Sequence, residues 1–396
     1  MRIVRASAVI LVVSVLSACG ATLVPLTRAE LEPLPEVTGF AEWGVAEAVE
    51  HVANEFIAES GVPGVQVAVR YGQRRFAGAY GHRDGRRREF AAVDDVYRVG
   101  SVTKVATAAV ILSLVEEGRL SLDAEIGGWV DLPNAGGVTV RHLLNHTSGL
   151  ADYTERFWPN LGTFLRPRRS WQPQQLISRV RRRPLHFELG TQYRYSNTNY
   201  VALGLIAESV SGRPLAELYR ERIFERAGMT GSWFPPYENA PDPGLADRLV
   251  TGFERDLLPL GTQRMTPAKT GWPTYAFSAG AMAAPAIDLV RMIDALFDGI
   301  IVSPQGLRVM TAAADAPEAD LPEQTGYGLG LRRLRIDGTE LFGHTGTIPG
   351  FGAAVLHAPG AEYTVAVVGN LSDLDAIELV RRLLAALRDV PEWRLR

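Results

Sequence analysis

The stretch RVGSVTKVATAAVILSLVEEG, Arg98 to Gly118, sets one lysine near the head of an otherwise apolar run. The chain has 396 residues and holds only two lysines against 39 arginines, so this placement asks for a reason. From Ser101 through Val115 the only ionisable side chain is Lys104, and the rest reads as a helix buried nearly all round. Burying an ammonium there is unfavourable. On a helix, positions i and i+3 share a face, which brings the Lys104 amine within reach of the Ser101 hydroxyl one turn earlier. Desolvation lowers a lysine's pKa, and a neutral amine can accept the serine proton. A weak nucleophile is activated this way without histidine.

Working outward, residues 42–60 carry Val45, Val49, Val52, Ala53 and Phe56 at helical spacing, and GVPG ends the pattern. VQVAVR then alternates, a glycine turn follows at Gly72 and RFAGAY returns, which predicts a β-hairpin. From Ser101 to about Leu260 helical patterns dominate. The last third returns to strands in YGLGLRRLRI, GAAVLHA and YTVAVVG, then closes on a helix with Ala376, Ile377, Val380, Leu383, Leu384 and Leu387 in one stripe. Strands at both ends with helices between them predict one sheet built from both termini and interrupted by a helical domain.

Two further motifs follow Ser101 and Lys104 in order. Tyr195-Ser196-Asn197 stands where a loop turns into a helix, and His344-Thr345-Gly346 stands at the end of a strand. With the flanking LLNHTSGL (Leu143 to Leu150), SAGAM (Ser278 to Met282) and GHTGTIPGF, the set resembles the serine β-lactamase and penicillin-binding-protein superfamily in its class C-like branch. That branch also holds D-Ala-D-Ala carboxypeptidases and small-ester esterases. The resemblance runs from about residue 45 to 385. It implies an α/β, β-lactamase/transpeptidase-like fold: an antiparallel sheet from both chain ends flanked by helices, with an inserted, mostly helical domain. The expected parts are 41–110 and 276–396 for the α/β domain and 111–275 for the helical one.

The resemblance also implies roles. Ser101 would be the nucleophile of an acyl-enzyme, Lys104 its base or proton relay, and Tyr195 the second proton carrier. Asn197 would hydrogen-bond the acyl side of the substrate, and His344, Thr345 and Gly346 would line the cleft. The backbone N–H groups of Ser101 and Thr347 would form the oxyanion hole. The family's commonest third motif begins with lysine, whereas His344 stands here. A histidine is largely neutral at pH 7 unless its pKa is raised. The expected activity is therefore that of a peptidase on D-amino-acid peptides (carboxypeptidase-like) or of a small-ester esterase. The alternatives are a class C-like β-lactamase and a penicillin-binding sensor that deacylates slowly.

Residues 1–18 read as a signal peptide, with Arg2 and Arg5 before the short apolar run Ala6 to Leu16. LSACG resembles the bacterial lipobox, which makes Cys19, the only cysteine, the expected lipidation site. Prolines 25, 33 and 35 suit a spacer over 19–40. Membrane contact through this anchor, on the extracytoplasmic side of the cell envelope, is expected. A net charge of −3 with interspersed arginines gives no support to nucleic-acid binding. No cofactor is expected, and the oligomeric state is open.

Several patterns are set aside. Lys269-Thr270-Gly271 copies the lysine form of the third motif but precedes SAGAM and lacks a strand pattern. Gly326, Gly328 and Gly330 mimic a dinucleotide loop, with Leu331 where the fingerprint needs glycine. His142 and His146 are four apart, without the acidic residue or third ligand of a metal site. Between Glu155 and Glu188 no acid occurs, while seven arginines from Arg166 to Arg183 are interleaved with aromatics; a solvated face is expected there, with an anionic envelope surface as the other reading.

Overall fold

Val65, Val67 and Val69 of strand β1 (Gly64–Tyr71) enter one apolar layer, while Ala68 between them enters another. Neighbouring strand residues point to opposite faces, so a sheet whose strands behave this way must be covered on both sides. The computed structural model shows such a sheet; it describes residues 44–84, 89–155, 168–255, 263–266, 271–318 and 321–393. After β1 come β2 (Arg74–Gly81), β3 (Ala314–Asp315), β4 (Gln324–Tyr327), β5 (Arg332–Ile336), β6 (Thr339–Ile348), β7 (Phe351–Ala358) and β8 (Tyr363–Gly369). Their order across the sheet is β2-β1-β8-β7-β6-β5-β4-β3, and every pairing is antiparallel. The expected hairpin forms with Gly72 at φ +54° in its turn, and β1 pairs with β8, closing the two chain ends into one sheet.

The longest helices among the described residues are α1 (Val45–Ser60), α2 (Thr103–Glu116), α3 (Asn197–Ser211), α4 (Ala286–Phe297) and α5 (Ala376–Leu387). Helices α1 and α5 cover the valine face of β1, burying Val49, Val52 and Phe56 with Leu379, Val380 and Leu383. Each such side chain contributes roughly 1.5–3 kcal/mol by leaving water. Helix α4 covers the other face and joins a larger core with α2 and α3. Polar groups caught under α4 are paired. Gln66 donates to the carbonyls of Ala92 and Asp95 and accepts from the Ala286 N–H, while Asp294 meets Arg70 at 2.7 Å and accepts from Thr364.

Two boundaries differ from the sequence reading. Residue 110 lies inside α2, which runs unbroken to Glu116 because nothing between Thr103 and Glu116 stops a helix; Gly118 follows at φ +69°. Residue 275 likewise lies inside the short helix Trp272–Ala276. Gly252–Arg255 and Gln263–Thr266 pair as a two-stranded ribbon, too short for its alternation to register in the sequence. Cys19, the leader and the spacer lie outside the described residues, as do Lys269 and Thr270.

The arginine-rich segment is described from residue 168 onward. Arg181 pairs with Asp131 at 2.7 Å, Arg183 with Glu155 at 3.3 Å, and Arg169 stacks on Trp171. Acids distant in sequence thus neutralise part of this face, and Arg179 donates to the Tyr275 hydroxyl at 2.6 Å.

Candidate active site

Ser101 sits on a tight turn, Gly100–Val102, that leads into α2. Gly100 at φ +51° makes the turn possible, and a Cβ there would lie 2.8 Å from the backbone of Thr347. Gly346 answers it from the other side: its Cβ would meet the Val99 carbonyl oxygen at 2.0 Å and the Ser101 nitrogen at 3.0 Å. Strand β6 pairs with β5 only over Thr339–Gly343, while His344–Ile348 pair with β7 alone. The two glycines let that part of β6 lie against the serine turn. The Thr103 hydroxyl ties the turn down, donating to the Gly100 carbonyl and accepting from the Met282 N–H.

Lys104 is fully buried in α2. Its Nζ lies 2.9 Å from Ser101 Oγ, 2.9 Å from Asn197 Oδ1 and 2.8 Å from the Ala279 carbonyl oxygen. Burial holds its pKa well below the usual lysine range, with Arg332 acting in the same direction and Asp152 against it. Of its three neighbours, the amide oxygen and the carbonyl can only accept. A neutral amine has two N–H groups for them and one lone pair left, aimed at the serine hydroxyl.

Asn197 opens α3, where Asp152 takes both its backbone N–H and its Nδ2 at 2.9 Å. Tyr195, two residues earlier, lies with its ring 4.9 Å from Lys104 Nζ. Its hydroxyl is buried and has no hydrogen-bond partner among the described residues. Burial pushes its pKa up to about 12, against the opposing pull of Arg332 and the Ser101 hydroxyl. The site therefore pairs an amine biased toward its neutral form with a phenol biased toward its protonated form.

Ser101, Lys104, Tyr195, Asn197, Thr345, Gly346 and Thr347 come together around two adjoining cavities. The first, about 260 Å³, is walled by Ser101, Asn197, Tyr153, Trp272, Tyr275 and Ile348. The second, about 600 Å³, includes Tyr195, Thr345, Thr347, Glu318, Glu323 and Arg332.

His344 lies deeper than Thr345 and Thr347 on the strand. Its imidazole is fully buried, with Nε2 3.0 Å from the Tyr327 hydroxyl and Nδ1 against the Thr345 carbonyl. Thr345, Gly346 and Thr347 line the cleft, and the buried His344 ring stands beside Tyr195, their ring centres 6.2 Å apart. Burial first, then Arg332 and Lys104, keep its pKa well below the usual histidine value. Two arginines line the larger cavity, Arg381, which pairs with Glu323 and Glu378, and Arg332, which the sequence reading did not single out. Its guanidinium stacks 5.0 Å from the Tyr195 ring centre and donates to Gln324. Asp152 was also missed, although it stands two residues past LLNHTSGL. His142 and His146 do not share a site: His142 caps the helix Val140–Leu144 with Thr139, and His146 lies among the aromatics around Tyr195.

The family model described as Beta-lactamase matches residues 49–388. A D-aminopeptidase of Brucella anthropi is 32% identical over 300 residues, which is 73% of this chain and 52% of that protein. The chain thus spans about half the length of the curated relatives it matches. A D-amino acid amidase from Ochrobactrum anthropi, solved with L-phenylalanine amide, superposes with TM-score 0.77 at 28% identity, covering 87% of this chain and 99% of that one. A D-stereospecific amidohydrolase from Streptomyces gives 0.72 at 30% identity, over 86% and 97%.

Proposed function

This chain belongs to the Beta-lactamase family, and we propose that it is a serine hydrolase cleaving the amide or ester bond of a D-amino-acid substrate through an acyl-enzyme on Ser101. The observation that carries this reading is the Lys104 amine, buried and hydrogen-bonded to Ser101 Oγ at 2.9 Å, with two acceptors for its remaining N–H groups.

Ser101 Oγ attacks the substrate carbonyl while its proton passes to the Lys104 lone pair. The negative charge on the carbonyl oxygen is met by the backbone N–H groups of Ser101 and Thr347. Tyr195, protonated, gives its proton to the leaving amine or alkoxide and is reprotonated from Lys104. Water then attacks the ester, its proton returns through the same pair, and Ser101 leaves as the hydroxyl. Asn197 holds Lys104 and the acyl side of the substrate, and Thr345 lines the leaving-group side.

The smaller cavity beside Ser101 suits an apolar or aromatic acyl side chain, since Tyr153, Trp272, Tyr275 and Ile348 form much of its wall. With the D-amino-acid hydrolases among the similar proteins, this favours D-aminoacyl amides and esters over a carboxypeptidase's substrate. Cys19 in LSACG is read as the lipidated residue that holds the protein to the extracytoplasmic side of the cell envelope.

The test is a turnover panel: D-phenylalanine amide, L-phenylalanine amide, a D-Ala-D-Ala peptide, a nitrocefin-type β-lactam and p-nitrophenyl butyrate. Turnover of the D-amide and the ester, with the L-amide slower, is expected. Sustained turnover of the β-lactam alone would make it a β-lactamase. A permanent adduct with one equivalent of product from every substrate would make it a sensor.

A further inference from the structure

His146 makes three separate contacts with the segment that carries Tyr195. Its carbonyl oxygen accepts the Arg194 N–H at 3.0 Å, and its Nδ1 accepts the Ser196 N–H at 3.2 Å. The chain is thus held on either side of Tyr195 by one residue. The third contact is the ring itself, whose centre lies 4.4 Å from that of Tyr195 with 33° between the planes. The Tyr200 and Tyr327 rings, at 5.2 and 4.8 Å, complete the surround.

The side chain is oriented by more than packing. Nδ1 also receives the Asn199 amide at 3.1 Å, and Asn199 is in turn fixed by the Ser148 hydroxyl at 2.7 Å on its oxygen. A nitrogen taking two N–H donors carries no proton, so the neutral ring has its hydrogen on Nε2, which has no hydrogen-bond partner among the described residues. Burial, with Lys104 and Arg332 nearby, drives the ring toward this neutral form. The backbone at His146 is held at φ +60°, a region that histidine and asparagine enter more readily than most residues. A buried polar group left unsatisfied in a left-handed conformation persists only where its surroundings require it.

We propose that His146 is the positioning residue for Tyr195, clamping the chain on both sides of it and backing its ring so that the phenol stays at Ser101. The inference rests on the proton-carrying role given to Tyr195 above.

The test is a double-mutant cycle on the full chain, read as the acylation rate constant with p-nitrophenyl butyrate, alongside KM and the thermal midpoint. His146→Asn tolerates the positive φ and keeps a side-chain acceptor, but removes the ring. It should slow acylation about tenfold with KM nearly unchanged, a loss typical of a misplaced reacting group. In the Tyr195→Phe background the same change should alter the rate by less than about twofold, because residues acting as a unit are not additive. An equal loss in both backgrounds would overturn the clamp and leave His146 a packing residue. Full activity of Tyr195→Phe alone would instead overturn the role of Tyr195, and the clamp with it. Should His146→Asn fail to fold, His146→Phe, which keeps a ring and removes the acceptor, takes its place in the cycle. The wild-type protein supplies an independent reading by ¹⁵N NMR: a neutral ring with its hydrogen on Nε2 is expected, and one protonated at Nδ1 would overturn the proposal.

Discussion

Asp152 accepts two hydrogen bonds from Asn197, from the backbone N–H and from Nδ2, each at 2.9 Å. An amide held by its nitrogen end must present its oxygen elsewhere, and here Oδ1 meets Lys104 Nζ. The carboxylate thereby decides which way the amide faces without touching the serine. It also favours the charged form of Lys104 from a distance. Asp152→Asn should lower kcat/KM about tenfold through the loosened amide. It should also move the acid limb of the pH–rate profile to lower pH, because removing the negative charge lowers the Lys104 pKa further. A limb that shifts upward, or a variant with the wild-type profile, would refute this coupling.

Ser101→Ala should abolish labelling by a fluorophosphonate. Lys104→Ala should slow acylation at least about a hundredfold, the scale of a lost positioned proton acceptor. Gel fluorescence against time reads both, and undiminished labelling of the Ser101 variant would remove the nucleophile assignment.

His344 is fully buried and biased toward its neutral form, so it should not read substrate charge. The ratio of kcat/KM for a carboxylate-bearing substrate to that for a neutral ester should stay flat from about pH 6 to 8, the range in which an ordinary imidazole would titrate. Arg332→Leu should lower that ratio if the guanidinium beside Tyr195 meets the carboxylate. A ratio that falls with pH in the wild type would return the role to His344.

Three buried histidines set the direction of acid sensitivity. His146, His344 and His357 all have folded pKa values below the ordinary one, that of His357 about 4. Each takes up a proton more readily when unfolded, so the stability they provide is full above about pH 6.5 and lost as the pH falls below it. For His357 the loss is complete near pH 4 and is on the order of 3 kcal/mol. Denaturant midpoints should decline over this window, and His357→Gln should flatten part of the decline.

Cys19→Ala should leave the folded body active and move it from the membrane fraction to the soluble one. Retention after a carbonate wash would place the membrane contact elsewhere.

Ser101 and Lys104 were legible because helical spacing and one charge in an apolar run are local properties. Tyr195 and Asn197 became legible only through the order of motifs, since a loop-to-helix junction says nothing of what lies across from it. The burial of His344 was not legible, because the motif gives its place on the strand but not the Tyr327 hydroxyl packed against its Nε2. Asp152 and Arg332 were not legible. Asp152 acts through Asn197, 45 residues away, and Arg332 meets Tyr195 only once β5 is placed in the sheet.

Gly100 and Gly346 bring two stretches of main chain into direct contact at the nucleophile. Because that spacing involves no side chain at either position, it is independent of the residues that shape the two cavities. Trp272, Tyr275 or Ile348 can be exchanged, and the range of acyl groups accepted can drift, while the distance between serine and strand stays constant. The converse holds at the glycines, where even a methyl group would wedge the strand away from the turn. This architecture separates what can be varied from what cannot: a lineage, or a directed-evolution library, can explore new substrates at the walls while the reaction geometry is inherited intact.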